Sequence, residues 1–462
     1  LIEGVGFAMS EIKVIFWFDV EDYVTPESED ALLGLIDLLD GKNIAGTFKL
    51  VGEKARQFKK HNRTDILRKL LKHEVGFHTD MHSEHPTIAE YLEEFDFKNG
   101  AMEFEKREGM GFRDVTDIAG QCPSCYGQPG YSWAPQVFPV IKKWNIPVYL
   151  DCHDQICLDG KPFWYGGVLN FTCLDSFLRM ELREGGLEDA QRAFDKMYEC
   201  LIAKPYASFI SMWYHPCEFI TEEFWDAYNF AHGQNTPCHL WRKPPLRSVR
   251  QMRYYLGMLG QFLDYMKSKA GIEFITASQA LVLERSSGGA LAPGGVKELA
   301  SRIQKQLSYQ VYNHHTLSAA DLFSLFRSYI NGSKLEPELI YGPEHEVVSD
   351  EAEKLSVADI RRAINTTYPR VCGFKQLPDY FIVNDKRINP VDMTCTLAEI
   401  IKAELRDDDL VAITRGSLES MHHAKEDSYW GDRWIIFPRN LQVPNIIRMS
   451  KLQTWTLKPA LF

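Results

Sequence analysis

The feature that most constrains this chain is the apolar run Ile12-Lys-Val-Ile-Phe-Trp-Phe18, which stops abruptly at Asp19-Val20-Glu21-Asp22. The run has the length of a strand buried on both faces, the kind found in parallel sheets. Carboxylates crowded at a strand end repel one another unless a cation neutralises them. The plainer reading is a solvated loop in which Asp22 or Thr25 caps the next helix. A second cluster weighs against it: Glu74-Val-Gly-Phe-His78-Thr-Asp-Met-His82-Ser-Glu-His85-Pro86. His78 and His82 are four apart, so a helical turn after the strand-like residues 75–77 would project both rings toward one ion. His85 is a candidate third ligand or substrate contact.

Between and beyond these clusters, strand and helix signals alternate. Thr25-Pro26 with Glu27, Glu29 and Asp30 opens a helix whose stripe is Leu32, Leu35, Ile36 and Leu39, with Gly41 as its stop. Residues 45–51 read as a second strand, 66–71 as a second helical stripe and 75–77 as a third strand. The alternation predicts a parallel sheet with helices outside and reacting groups at the carboxyl ends of the strands. Residues 109–133 read as irregular. A long helix over 247–269 carries Met252, Leu256, Leu259, Leu263 and Met266 as a core stripe.

Taken together, the acidic strand end and His78-Thr79-Asp80-Met81-His82-Ser83 resemble the first two motifs of the polysaccharide deacetylases, the NodB-type carbohydrate esterases. The resemblance runs from about Ile12 to Leu283 and implies an irregular (β/α)7-type barrel, α/β in class. It implies that Asp19 is the catalytic base and that His78, His82 and a first-motif carboxylate hold a divalent ion. Glu21 is the preferred ligand, with Asp22 left open. The ion implied is zinc, with cobalt, nickel or iron also suited to two imidazoles and a carboxylate. Near Pro129 the family's Arg-x-Pro-x-Gly motif is incomplete, because Gly127 stands where the Arg belongs; either another cation replaces it or Asp19 is tuned differently. The backbone at Gly130 would stabilise an oxyanion. Asp151-Cys-His-Asp154 is similar to a later motif and makes Asp154 a catalytic candidate, a polar turn being the alternative. Tyr214-His215-Pro216 resembles the last motif, whose His protonates the leaving amine. Tyr131, Trp133 and Tyr214 join His85 as candidate substrate contacts.

The activity implied is hydrolysis of an N-acyl, chiefly N-acetyl, group from an amino sugar or polysaccharide, with the ion activating the attacking water. A non-sugar amide or cyclic ureide is the alternative substrate, and a catalytically inactive glycan-binding protein the alternative role. A net charge of −11 argues against a nucleic-acid partner and against an anionic membrane surface. No apolar run reaches the length of a membrane span. A homo-oligomer is compatible with all of this.

With 462 residues, two domains are expected. Residues 10–287 form the catalytic domain in this reading, the Gly/Ser/Pro-rich 288–295 a linker, and 296–462 a smaller, mainly helical accessory domain. Within the last, Leu317-Ser318-Ala-Ala-Asp321, Leu355-Ser356-Val-Ala-Asp359 and Asn389-Pro390-Val-Asp392 are helix-capping patterns that suggest a loose repeat. Tyr429, Trp430, Trp434 and Trp455 read as core aromatics before sugar platforms. Eight of the ten cysteines fall between Cys122 and Cys238 and read as scattered buried thiols, Cys122-Pro-Ser-Cys125 lacking a second CxxC. Met9-Ser10-Glu11 reads as a start that runs straight into the first strand, which places the protein in the cytoplasm; a processed Leu1 would make it an exported protein.

Overall fold

The computed structural model describes residues 11–204 and 206–462. The start proposed at Met9-Ser10, and with it the boundary at residue 10, lies outside them. The strand β1, Ile12–Val20, is buried along its whole length and sits at the centre of an eleven-stranded sheet. On one side it pairs in parallel with β9, Ser208–Tyr214. On the other it pairs first with β10, Ile272–Ile275, and then with β2, Thr47–Leu50. The ladder continues in parallel through β3, Glu74–Phe77, then β4, Cys125–Tyr126, β5, Val148–Leu150, and β7, Val168–Phe171. Beyond β9 lies β8, Phe177–Leu178. The strand β6, Phe163–Tyr165, is antiparallel to β7 and carries the last strand of the chain, Lys458–Pro459, on its outer edge. The sheet is the curled, irregular α/β barrel expected, left open between its two edges. Phe462 spans that opening, with its ring against Phe171 and Phe209.

Helices cover the outside, each for a legible reason. Ser28–Lys42 buries Leu32, Leu35, Ile36 and Leu39, and ends at the left-handed Asn43 (φ 52°), one turn element later than Gly41. Val249–Lys267 begins at Ser248, whose hydroxyl accepts from the Gln251 N–H. Residues 109–119, read as irregular from their glycines, are the second half of a 23-residue helix, Phe97–Ala119. Tertiary contact outweighs glycine's low propensity there: a Cβ at Gly111 would collide with Asp80, so the glycine is what lets the helix approach the histidine loop.

A second hydrophobic core gathers residues between Leu291 and Leu418, together with Trp455. The helices Ala319–Ile330, Val357–Ile364 and Pro390–Lys402 start at Ser318, Ser356 and Asn389, each side chain accepting from the backbone N–H three residues on. Two of the three follow tight hairpins turned by left-handed Asn313 and by Asn384-Asp385. The unit is therefore hairpin-and-helix, not helical alone. The linker is shorter than expected, because Pro293–Arg302 is already helix and Gly295 packs on Tyr312.

The larger correction concerns the end of the chain. From Ala424 onward most of it rejoins the first core, with Trp430, Phe437, Val443, Ile446 and Leu457 buried with the barrel's helices, while Trp455 stays in the second. No helix of the described residues is long and apolar enough to cross a membrane. Cys157 and Cys173 are joined in a disulfide, which corrects the reading of scattered thiols; the other eight cysteines are free.

Candidate metal centre and active site

Both anchor clusters fall at carboxyl ends of strands, on β1 and β3 with β2 between them. Asp19 and Glu21 lie at the end of β1, and His78 directly follows β3. The expected helical turn after His78 does not form. Thr79 and His82 adopt left-handed backbone (φ 69° and 51°), and this looped path, not a helix face, brings the two rings together at 5.0 Å. Strained non-glycine residues of this kind concentrate at functional sites.

Glu21 Oε2 lies 3.2 Å from His78 Nε2 and 2.8 Å from His82 Nε2. His78 donates its Nδ1–H to the Gly127 carbonyl (3.0 Å), which turns Nε2 toward Glu21. His82 Nδ1 donates to Ser83 Oγ (2.6 Å), and that hydroxyl donates to Asp226 (3.0 Å). Glu21 Oε1 accepts from the Trp225 indole (2.9 Å). Every group is buried, and each has a partner that fixes its orientation, as metal ligands commonly do. His82 Nε2 makes no hydrogen bond despite its closeness to Glu21, so a buried donor atom is left over. Two imidazole nitrogens and one carboxylate oxygen converging in this way fit a divalent ion.

Beside this cluster, His215 Nε2 stands 3.7 Å from Asp19 Oδ2. Its Nδ1 donates to Glu218 (3.1 Å), which in turn accepts two bonds from Arg179 (2.8 Å each). Burial disfavours the charged ring, but Glu218, Glu21 and Asp19 outweigh it and raise His215 to about 9. Lys49, on β2, closes the other side of Asp19 at 2.9 Å and also meets Asp151.

Several candidates are not in this constellation. Asp22 spends Oδ1 on the N–H groups of Val24 and Thr25, a local turn ahead of the helix; the helix itself starts after Glu27 without a side-chain cap, so neither Asp22 nor Thr25 caps it. Asp154 is paired with Lys425 and Arg433 on the C-terminal segment; Asp151, three residues earlier, is the one that faces Asp19 through Lys49. Both ring nitrogens of His85 are occupied, by Glu90 (2.7 Å) and the Phe230 carbonyl (2.9 Å), so it is structural. Trp133 is buried between His153 and Tyr165, and Tyr214 is a core residue bonded to the Met180 backbone; neither reaches a substrate. Tyr131 is partly exposed and keeps its candidacy. Gly130 has a left-handed backbone (φ 47°), but the close approach it permits is taken by Trp434, whose ring would lie 2.4 Å from a Cβ there.

Three groups that complete the site carry no local mark along the chain. Trp225 and Asp226 come from the polar, aromatic segment 221–245; both are fully buried, whereas most of residues 232–245 is exposed. Trp434 stands edge-on to His82 at 5.7 Å.

No family model matches the sequence, and no curated protein does. Among solved structures, the chain is similar to a polysaccharide deacetylase candidate from Mycobacterium smegmatis at 14% identity, with 59% of this chain and 89% of that chain covered and a TM-score of 0.37. It is similar to PuuE allantoinase at 13% identity, with 58% and 89% covered and a TM-score of 0.38. It is also similar to a mutant of a CE4-family pseudoenzyme at 10% identity, with 59% and 67% covered and a TM-score of 0.30. These neighbours do not share one activity, and likeness at this level selects none; the chemistry belongs to the side chains just described.

Proposed function

We propose that this chain is a metal-dependent hydrolase that removes an N-acyl group, chiefly N-acetyl, from an amino sugar or polysaccharide. The observation that carries the reading is the convergence of Glu21, His78 and His82 on one point, immediately beside an Asp19–His215 pair. A divalent ion held by those three side chains would acidify a water molecule and polarise an acyl carbonyl. Asp19 accepts the proton of the attacking water in this reading, and its contact with Lys49, itself anchored by Asp151, supports that role. His215, kept protonated by Glu218, is placed to hand a proton to the departing amine. Trp225 orients Glu21, and the Ser83–Asp226 relay orients His82. Trp225 and Trp434 pack against the His82 ring, and Tyr23 packs against Trp225 and Trp241, so aromatic side chains wall this side of the cluster.

The Cys157–Cys173 bridge favours an oxidising compartment, and so the exported alternative over the cytoplasmic one. The test of function is acetate release by the zinc-loaded full chain from penta-N-acetylchitopentaose, with allantoin as the ureide control. Acetate released in proportion to bound zinc supports the reading; turnover of allantoin alone would replace the substrate class, and no turnover of either with the ion bound would leave a binding protein.

A further inference from the structure

Lys49 is fully buried at the centre of the sheet, an unusual place for an ammonium group. The register sets Asp19, Lys49 and Gly76 side by side on β1, β2 and β3. Gly76 has no side chain to obstruct its neighbour: a Cβ there would lie 2.9 Å from Lys49 Cγ. The lysine therefore runs across β3 toward the next strands. At the end of β4 stands a second glycine, Gly127, where a Cβ would come within 2.1 Å of Lys49 Nζ and 2.4 Å of Asp151 Oδ2. Two glycines thus clear a corridor from β2 to β5. At its far end Nζ donates to Asp151 Oδ2 (2.7 Å) and to the Leu150 carbonyl (2.8 Å), while Asp19 Oδ1 lies 2.9 Å away. The ammonium also lies over the Trp17 ring at 4.1 Å.

We infer that Lys49 is the positioning residue for Asp19, and that it takes the space which a cationic side chain rooted at position 127 would otherwise fill. The physical need is plain. Asp19 and Asp151 are both buried carboxylates, and without a cation between them they repel across a medium that screens poorly. A single ammonium gripping both fixes the direction in which Asp19 presents Oδ2, the atom facing His215. The glycine at 127 then follows from the lysine: no other residue leaves room for Nζ. The sequence departure noted at Gly127 and the odd burial of Lys49 are one feature.

The catalytic part of this inference rests on the deacetylase reading; the pairing of positions 49 and 127 does not. The experiment is a cycle on the full chain: Lys49→Ala, Gly127→Arg, the double variant, and Lys49→Ala with Gly127→Met as a size control without charge, with Lys49→Met added as the uncharged variant of similar length for kinetics. Thermal melting and zinc stoichiometry are measured first. Each single change should lower the melting temperature, and Lys49→Ala with Gly127→Arg should be more stable than either, a reversal of sign that the methionine control lacks. On penta-N-acetylchitopentaose, Lys49→Met should keep its zinc and its KM within about twofold while kcat falls on the order of a hundredfold. The arginine double variant should regain at least about tenfold over Lys49→Ala. Additive losses of stability, or an unchanged kcat in zinc-loaded Lys49→Met, overturn the inference. Should the natural chain release no acetate, the deacetylase reading falls, and the melting cycle alone decides whether positions 49 and 127 share one cation site.

Discussion

Trp434 lies so close to Gly130 that a single methyl group at 130 would fall 2.4 Å from its ring, and the same indole stands edge-on to His82. A residue that follows the helices of the second core thus forms part of the wall of the first. Trp434→Ala should leave the fold intact, since the side chain is only partly buried, and should lower kcat/KM by roughly tenfold through looser substrate placement. Ending the chain near residue 287 is a different matter: it removes Trp430, Phe437, Ile446 and Leu457 from the barrel core as well as Phe462 from its open edge. The shortened protein should be insoluble or strongly destabilised, and circular dichroism with melting checks it. A folded and active 1–287 fragment would show that the terminal segment is dispensable.

The Ser83–Asp226 relay should set how tightly His82 serves as a ligand. Ser83→Ala removes the acceptor of the His82 Nδ1–H and the donor to Asp226, in a place where neither group meets water. Metal affinity should fall about 10- to 100-fold, read by competition with a chelating dye, while an excess of metal restores occupancy. Unchanged affinity would place the relay outside the ligand's support.

Glu218 is what keeps His215 protonated. With His215 raised to about 9, its acid form is present below that pH and disappears above it, so the alkaline limb of kcat belongs to this ring. Glu218→Gln removes the largest charge that favours the imidazolium. The limb should move to lower pH by about one unit, and a profile left in place would assign it to another group.

Glu108 offers a check on the fold that is independent of activity. It is buried beneath the histidine loop, accepts from the Asp80 N–H (2.6 Å), and burial pushes its carboxyl up to about 7 from an ordinary 4.5. The folded chain therefore binds this proton more tightly than the unfolded one. The resulting loss of stability is absent below 4.5, grows between 4.5 and 7 and is complete above. Glu108→Gln should thus be more stable than the natural chain by about 1–3 kcal/mol at pH 8 and no more stable at pH 4, by denaturant unfolding at the two values.

Much of this site was legible because its signals are local. An apolar strand that breaks into carboxylates, and two histidines directly after another strand, announce themselves within a dozen residues. What was not legible depends on pairing across the sheet. Lys49 sits in a short strand, Thr-Phe-Lys-Leu, that gives no hint of a buried ammonium; only the register beside Gly76 and Gly127 does. The histidine loop was expected as a helix because i,i+4 spacing is ambiguous, and the left-handed turns at Thr79 and His82 have no glycine to mark them. Asp154 stood out over Asp151 as the last acid of its motif, but strand ends fix direction: Asp151 is the first residue past β5 and points into the barrel mouth. Trp434 was hidden by distance along the chain, beyond a glycine-rich segment that looked like a boundary and behaves as the start of a helix.

Glu21, His78 and His82 should together hold one divalent ion on which hydrolysis depends. Elemental analysis of the full chain, of His78→Ala and of Asp19→Asn, each after identical zinc loading and each assayed for acetate release, tests it most directly. The natural protein should carry one zinc per chain and turn over, His78→Ala should lose both, and Asp19→Asn should retain zinc with turnover lowered about 100- to 10,000-fold. Full zinc occupancy in a folded His78→Ala, or loss of zinc from Asp19→Asn, would contradict it.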